Sequence, residues 1–111
     1  MRRFLSLVLV LMLCLSMAAC GKKTEDSLSD GVLTVAMECA YAPYNWTQPT
    51  DANGAVKIKD SSDYAYGYDG MMAKKIAEAL NVELEIVKLD WDSLVPAVQS
   101  GVVDCVIEVS P

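Results

Sequence analysis

The sequence predicts an α/β fold, a partial parallel sheet with flanking helices. Three observations support this prediction: an amphipathic helix at 67–80, an alternating strand at 83–87, and an apolar run at 102–109 that follows a second short helix. With a first strand at Val32–Met37, the elements run strand, helix, strand, helix, strand. That order is typical of a parallel sheet with right-handed crossovers.

Residues 1–19 have the pattern of a secretory signal peptide. Arg2 and Arg3 supply the positive start, and an apolar stretch at 4–15 follows them. This stretch is too short for a confident membrane span. Small residues then lead to Cys20, and a cysteine directly after two alanines resembles a bacterial lipoprotein signal, in which the thiol is acylated, as with palmitate. An ordinary signal peptide with a chance cysteine is the alternative.

Residues 20–31 are polar and lack apolar periodicity, so we expect a flexible tether. It would join the membrane anchor to a domain at 32–111, held on the extracytoplasmic face of the cell membrane. Stable attachment needs more than one acyl chain, which a lipoprotein cysteine carries.

Composition excludes several classes of function. The 111 residues permit one domain, and without residues 1–19 the chain has seven Lys against fifteen Asp plus Glu, a formal charge of −8. That balance argues against nucleic-acid binding, which depends on cations that meet phosphates. The absence of His excludes His-based catalytic triads and most zinc sites. We therefore expect no metal and no cofactor.

The loop after the first strand is the first candidate for a pocket wall. Glu38, Tyr41, Tyr44 and Trp46 lie within nine residues of the strand's end, and ligands of open α/β sheets bind beyond the carboxyl ends of strands. For Tyr44 and Trp46 the alternative is that they cover the edge of the sheet.

Residues 48–66 are expected to form a surface insertion. Asn53-Gly54 is a strong turn signal, often of hairpin type, and Ala55–Ile58 could form the returning strand. Asp60 and Asp63 lack the ligand spacing of a calcium loop.

The helix at 67–80 should bury the face that carries Met72, Ile76 and Leu80, which fall at i, i+4 and i+8. Asp69 is expected to cap its first turn, and Asn81 to end it in left-handed geometry.

The second half of the chain repeats the strand–helix pattern. A strand is predicted at Glu83–Lys88, and the next helix should have Asp92 as its N-cap and Gly101 after its end. Its apolar residues Leu94, Ala97 and Val98 share one face.

Four segments in this order resemble the first lobe of the family 3 solute-binding proteins, which bind amino acids for bacterial ABC importers. The segments are Leu33-Thr34-Val35-Ala36 with Tyr41-Ala42-Pro43-Tyr44; Gly67-Tyr68-Asp69 with Ile76-Ala77 and Leu80; Asp90-Trp91-Asp92-Ser93-Leu94-Val95-Pro96-Ala97 with Gln99-Ser100-Gly101; and Asp104-Cys105-Val106-Ile107. The resemblance covers about the first third of a family member. It implies a periplasmic-binding-protein-like lobe with sheet order 2-1-3.

The resemblance also implies site residues. The family places an aromatic ring at Tyr41 against the ligand and an acid at Glu38 near the ligand's polar end. Trp46 and Tyr68 are further candidates, and Ser110 matches a family serine that holds the ligand carboxylate. Glu108-Val109 departs from the small residues that the family has there, and the family's carboxylate-binding Arg would lie beyond Pro111.

The function implied is extracytoplasmic binding of an amino acid, polar or cationic because of Glu38, for delivery to an ABC permease. The family closes two lobes on the ligand and does no covalent chemistry. Two alternatives remain: an enzyme of the same fold, such as a dehydratase, and a ligand-sensing or non-binding surface lipoprotein.

Cys39 and Cys105 remain after loss of the signal segment and acylation of Cys20. An exported pair could oxidise. Because Cys39 follows the end of one strand and Cys105 lies early in a parallel neighbour, at a different height, we expect two unpaired buried thiols.

Overall fold

The computed structural model describes residues 2–18 and 28–109. Helix α1 spans Arg2–Ala18, within the predicted signal segment. No helix in the described ranges is long and apolar enough to cross a membrane. Cys20 and most of the predicted tether lie outside these ranges. The folded domain begins before its predicted start at residue 32, since Leu28 packs against the core and its carbonyl accepts a hydrogen bond from the Gly31 N–H.

The remaining elements form two sheets and two helices. The strands are β1 (Val32–Met37), β2 (Ala40–Tyr41), β3 (Asn45–Gln48), β4 (Val56–Lys57), β5 (Tyr64–Tyr66), β6 (Glu83–Lys88) and β7 (Cys105–Val106), and the helices are α2 (Tyr68–Leu80) and α3 (Trp91–Gln99).

The first sheet is parallel, with strand order β6-β1-β7. The predicted order 2-1-3 is confirmed, and β6 has the predicted bounds. β1 pairs with β6 along its whole length, from Val32 opposite Glu83 to Met37 opposite Lys88. β7 is much shorter than the predicted run at 102–109. Its neighbouring residues still bond to β1, since the Asp104 N–H donates to the Thr34 carbonyl at 2.9 Å.

The second sheet is antiparallel and has the order β2-β3-β5-β4. The predicted turn at Asn53-Gly54 is present, with φ of 60° and 79° at the two residues. The hairpin expected across it is wrong, because β3 and β4 do not pair. Instead both flank β5, and the hairpin lies between β4 and β5. Ile58 joins the two sheets through a parallel bridge to Ile86.

Helix α2 buries a different face from the one predicted. Gly70, Ala73 and Ala77 are buried, whereas Ile76 is 38% exposed and Leu80 is 49% exposed. Small side chains let the helix backbone approach the sheet closely, so this stripe faces the core. Asn81 ends α2 in left-handed geometry, as predicted.

The predicted caps of both helices are wrong. The N-cap position of α2 is Gly67, and the carboxylate of Asp69 makes no capping bond. Helix α3 begins at Trp91, one residue before the predicted cap, so Asp92 lies inside its first turn. Gly101 follows the end of α3 with φ of 78°, as expected.

The core lies on both faces of the parallel sheet. Leu33, Val35 and Met37 of β1 point to the side of α2, in a cluster that includes Ile86. Ala36 points to the other side, where it packs with three residues of α3 and the segment after it, namely Leu94, Ala97 and Val103. Val98, predicted on the same face as Leu94, is 39% exposed. The sheet therefore lies between the two helices, with its carboxyl edge free.

Candidate ligand-binding site

The candidate site lies at the carboxyl ends of β1 and β7. β1 runs to Met37, and Glu38, the first residue after it, is partly buried. Val106 pairs with Ala36 in parallel register, so Glu108 lies beside the end of β1. The Glu38 N–H donates a hydrogen bond of 2.9 Å to Oε2 of Glu108. The two carboxylates are thus brought to one edge of the sheet.

Burial raises the pKa of Glu108, and the negative charges of Glu38 and Asp69 raise it further. The hydrogen bond from the Glu38 N–H has the opposite effect on this pKa but does not cancel the burial. Oε1 of Glu108 is buried and has no hydrogen-bond partner among the described residues. A carboxylate in this setting lacks part of the solvation that it would have in water.

The segment at 39–46, the aromatic loop, is anchored to the start of α2. The rings of Tyr41 and Tyr44 stack with centroids 5.4 Å apart. The Asp69 N–H donates to the Tyr44 carbonyl at 2.8 Å, and the Ala42–Pro43 peptide bond is cis. Gly67 allows this approach because its φ is 119° and an added Cβ would lie 2.7 Å from the Tyr44 carbonyl carbon.

A buried polar network fixes the loop and the segment after β7. Asn45 is completely buried; its Oδ1 accepts the Ala40 N–H at 3.1 Å, and its Nδ2 donates to Oδ2 of Asp69 at 2.9 Å. The same Asp69 oxygen accepts the Val109 N–H at 2.9 Å. The buried carboxylate of Asp69 therefore joins three parts of the chain at the edge of the site.

The predicted site residues are only partly brought together. Glu38 and Tyr41 both follow the carboxyl end of β1, Glu38 directly and Tyr41 as the last residue of β2. Tyr68 is 56% exposed in the first turn of α2. Trp46 packs edge-on against Tyr66, with ring centroids 5.1 Å apart, and its indole N–H donates to Gln48. This geometry favours the alternative that Trp46 covers its sheet. The last predicted site residue, Ser110, lies outside the described residues.

Cys39 and Cys105 are free thiols. Burial raises the pKa of Cys39 to about 12, so this thiol stays protonated at neutral pH. Burial also raises the pKa of Cys105. Within residues 2–18 and 28–109, no group of His, Cys, Asp or Glu is arranged to hold a metal ion.

Sequence reasoning missed Asn45 and Glu108 and misjudged Asp69. Glu108 carried a signal, since it replaces the small residue expected by resemblance. Asn45 carried none, because its partners lie 5 and 24 residues away and depend on the packing of two sheets and a helix.

Known proteins with related sequences are binding proteins. A probable histidine-binding protein of Campylobacter jejuni is 29% identical over 112 aligned positions, covering 96% of this chain and 39% of the relative. The octopine-binding periplasmic protein of Rhizobium meliloti is 29% identical over 75 residues, covering 68% of this chain and 21% of the relative. The chain therefore spans well under half of these relatives.

Solved structures give the same fold. Domain 1 of the arginine-binding protein TmArgBP, in its arginine-bound form, matches with a TM-score of 0.58 at 30% identity, over 76% of this chain and 58% of that one. The substrate-binding protein AbpA of an amino-acid ABC transporter of Streptococcus pneumoniae, bound to L-arginine, matches with a TM-score of 0.56 at 34% identity, over 71% of this chain and 30% of that one.

The predicted resemblance is confirmed by the family match, which covers residues 33–110 and so includes both carboxylates and the aromatic loop. The fold agrees with that of a binding-protein lobe. The chain belongs to the bacterial extracellular solute-binding proteins of family 3.

Proposed function

We propose that the protein binds an amino acid with a polar or cationic side chain outside the cytoplasm and delivers it to an ABC permease. It acts by binding and does no covalent chemistry. The observation that carries the proposal is that an acid and an aromatic residue, Glu38 and Tyr41, both follow β1 in a chain of this family.

The position of these residues supports a ligand site. Tyr41 is held by stacking on Tyr44, and its loop is bonded to the start of α2, so its ring is already ordered. Ordering before binding lowers the entropic cost of association. Glu38 supplies negative charge at the same edge, which favours a ligand that carries a cation.

The relatives support the choice of ligand. Two of the solved structures hold arginine, and a curated relative is named as a probable histidine-binding protein. One of the arginine-bound structures is of domain 1 alone. This supports ligand contacts made by a single lobe, and our chain covers 58% of that domain.

Isothermal titration calorimetry on the purified protein tests the proposal. L-Arginine, L-lysine and L-histidine should give saturable binding, and L-glutamate should not. Tyr41→Ala and Glu38→Gln should weaken binding, whereas Glu78→Gln, an exposed acid on α2, should leave it unchanged. Absence of saturable binding to any amino acid would refute the proposed function.

We also propose that residues 1–19 are a lipoprotein signal peptide and that Cys20 is acylated, which would hold the domain at the membrane through the tether. Support comes from the sequence pattern before Cys20 and from the apolar helix α1.

Labelling bacterial cells with a palmitate analogue tests this second proposal. The wild type and Cys39→Ala should carry the label and sediment with membranes, whereas Cys20→Ala should lose both properties. An unlabelled wild type, or a labelled Cys20→Ala variant, would show that Cys20 is not the anchor.

A further inference from the structure

Glu108 lies at the centre of the candidate site but is absent from the residues that the family resemblance supplies. Pairing of Val106 with Ala36 and the hydrogen bond from the Ile107 N–H to the Ala36 carbonyl fix its position beside the end of β1. Its Oε2 accepts the Glu38 N–H at 2.9 Å. The side chain is therefore tied to the first predicted ligand residue by a bond that spans 70 positions in the sequence.

The carboxylate of Glu108 has no cationic partner in the described part of the chain. The ion pair found there joins Lys59, in the segment after β4, to Glu85 on β6. The charged groups that act on Glu108 are Glu38, after β1, and Asp69, on α2, and both are acids. A partly desolvated carboxylate among other acids is stabilised by an incoming cation more than a solvated one would be.

A groove leads to this carboxylate. It has a volume of about 500 Å³, and Glu108 lines it together with a second acid, Asp92, with Gln99 and with apolar residues of α3 and β7 that include Trp91 and Val95. Most of these residues are apolar, and Trp91 is 52% exposed. An aliphatic chain that ends in a cation matches such a lining, because the methylene groups bury against apolar surface while the charge reaches the acid. An aromatic face adds attraction for the cation.

We propose that Glu108 determines specificity, pairing with the guanidinium or ammonium group of a bound cationic amino acid such as L-arginine or L-lysine. This inference rests on the proposed function and names its substrate class. Glu108 and Glu38 then form a two-acid end of the site. A ligand with a neutral side chain of similar length would leave these acids unpaired.

Calorimetry with L-arginine and with L-glutamine, a neutral polar amino acid, tests the assignment. The wild type should prefer arginine, and Glu108→Gln should weaken arginine binding by about ten- to a hundred-fold, the usual effect of losing one charge-assisted hydrogen bond. Glutamine binding should change by less than about threefold. Glu78→Gln should behave as the wild type.

Two outcomes separate this inference from the proposed function. If the wild type binds arginine and Glu108→Gln binds it equally well, the specificity role is wrong and the proposed function stands. If the wild type binds no amino acid, both are wrong.

A conservative variant separates charge from structure. Glu108→Asp keeps the negative charge on a shorter side chain and should retain the preference for arginine that Glu108→Gln loses. Equal loss of arginine binding in both variants, with intact circular dichroism spectra, would overturn the assignment. The wild type should also lose arginine affinity as the pH falls through the range where Glu108 takes up a proton, and Glu108→Gln should lose less.

Discussion

Removal of the Asp69 carboxylate should destabilise the fold more than removal of any exposed acid. The side chain is 2% exposed, and its Oδ2 accepts hydrogen bonds of 2.9 Å from the Asn45 side chain and from the Val109 N–H. In Asp69→Ala both donors lose their partner inside the protein. A small cavity also forms where the carboxylate was.

The expected magnitude follows from these two bonds. A hydrogen bond to a charged group contributes about 1.5–3 kcal/mol, so the loss of two such bonds in Asp69→Ala should lower the free energy of unfolding by about 3–6 kcal/mol. A folded body of about 80 residues is stable by only about 4–12 kcal/mol. The variant should therefore lose about a quarter or more of the total stability.

Asp69→Asn should be much milder. Both bonds go to one oxygen, and the amide oxygen of Asn can accept both, so only the charge is lost. Loss of that charge also relieves repulsion of Glu108. We expect a decrease of about 1–2 kcal/mol, because each of the two bonds changes from a charged to a neutral acceptor at a cost of about 1 kcal/mol and the relieved repulsion offsets part of that cost. Asp51→Ala, in an exposed turn, is the surface control.

Urea unfolding followed by circular dichroism at 222 nm measures these differences. With a slope of about 1–1.5 kcal/mol per molar urea for a domain of this size, Asp69→Ala should lower the midpoint by about 2–6 M. Asp51→Ala should stay within about 0.5 M of the wild type. A midpoint for Asp69→Ala equal to that of Asp51→Ala would refute the view that this network holds the site together.

Three further predictions use the same assay. Gly67→Ala should cost more than 2 kcal/mol, since the added Cβ clashes with the aromatic loop, whereas Gly31→Ala, which meets nothing within 4 Å, should cost only about 1–2 kcal/mol from its positive φ; equal losses would contradict the tight approach. Ala77→Leu should lower the free energy of unfolding by about 1–3 kcal/mol because the larger side chain overpacks the core, and Ile76→Ser should lower it by less than about 1 kcal/mol. The reverse order would show that the face with Met72, Ile76 and Leu80 is the buried one. Because the folded-state pKa of Glu108 is raised, its contribution to stability decreases as the pH rises from the ordinary glutamate range through that raised pKa. In Glu108→Gln the unfolding midpoint should therefore decrease less over this pH range than in the wild type. A pH profile equal to that of the wild type would contradict the raised pKa of Glu108.

The parallel sheet could be predicted because its signals are local. Each of its strands is a short apolar or alternating run, and a chain that alternates strands and helices has few allowed connections. The bounds of β6 and the sheet order followed from these signals. The hairpin at Asn53-Gly54 failed because a turn signal fixes where the chain reverses but not which strands pair afterwards. β5 pairs with both β3 and β4 and so separates them.

The buried face of α2 could not be chosen from periodicity alone. The stripe of Met72, Ile76 and Leu80 and the stripe of Ala73 and Ala77 have the same helical spacing. Hydrophobicity favours the first, but the distance between helix and sheet decides, and small residues permit the closer packing seen here. A pattern of large residues therefore predicted a helix correctly and its orientation incorrectly.

The candidate site shows the same division between local and distant information. Glu38 and Tyr41 could be proposed from the sequence because they follow the end of a strand, and ligands of open α/β sheets bind beyond the carboxyl ends of strands. Glu108 is brought next to them by the register in which β7 pairs with β1. That register rests on two paired residues and could not be predicted from the sequence. The loss of the predicted strand at 102–109 and the appearance of Glu108 at the site have the same cause, because the chain leaves the sheet soon after Val106.

The acids at the site are positioned by hydrogen bonds from uncharged donors. Asp69 and Glu108 receive their bonds from the Asn45 amide and from the N–H groups of Val109 and Glu38, none of which carries a net charge. Such donors position a carboxylate without neutralising it, whereas a lysine in the same place would also remove the attraction for a cationic ligand. The repulsion that Glu38 and Asp69 exert on Glu108 is a cost to the folded protein, and a bound cation would offset it. The arrangement that weakens the unliganded fold is therefore the one that would favour a cationic amino acid over a neutral one.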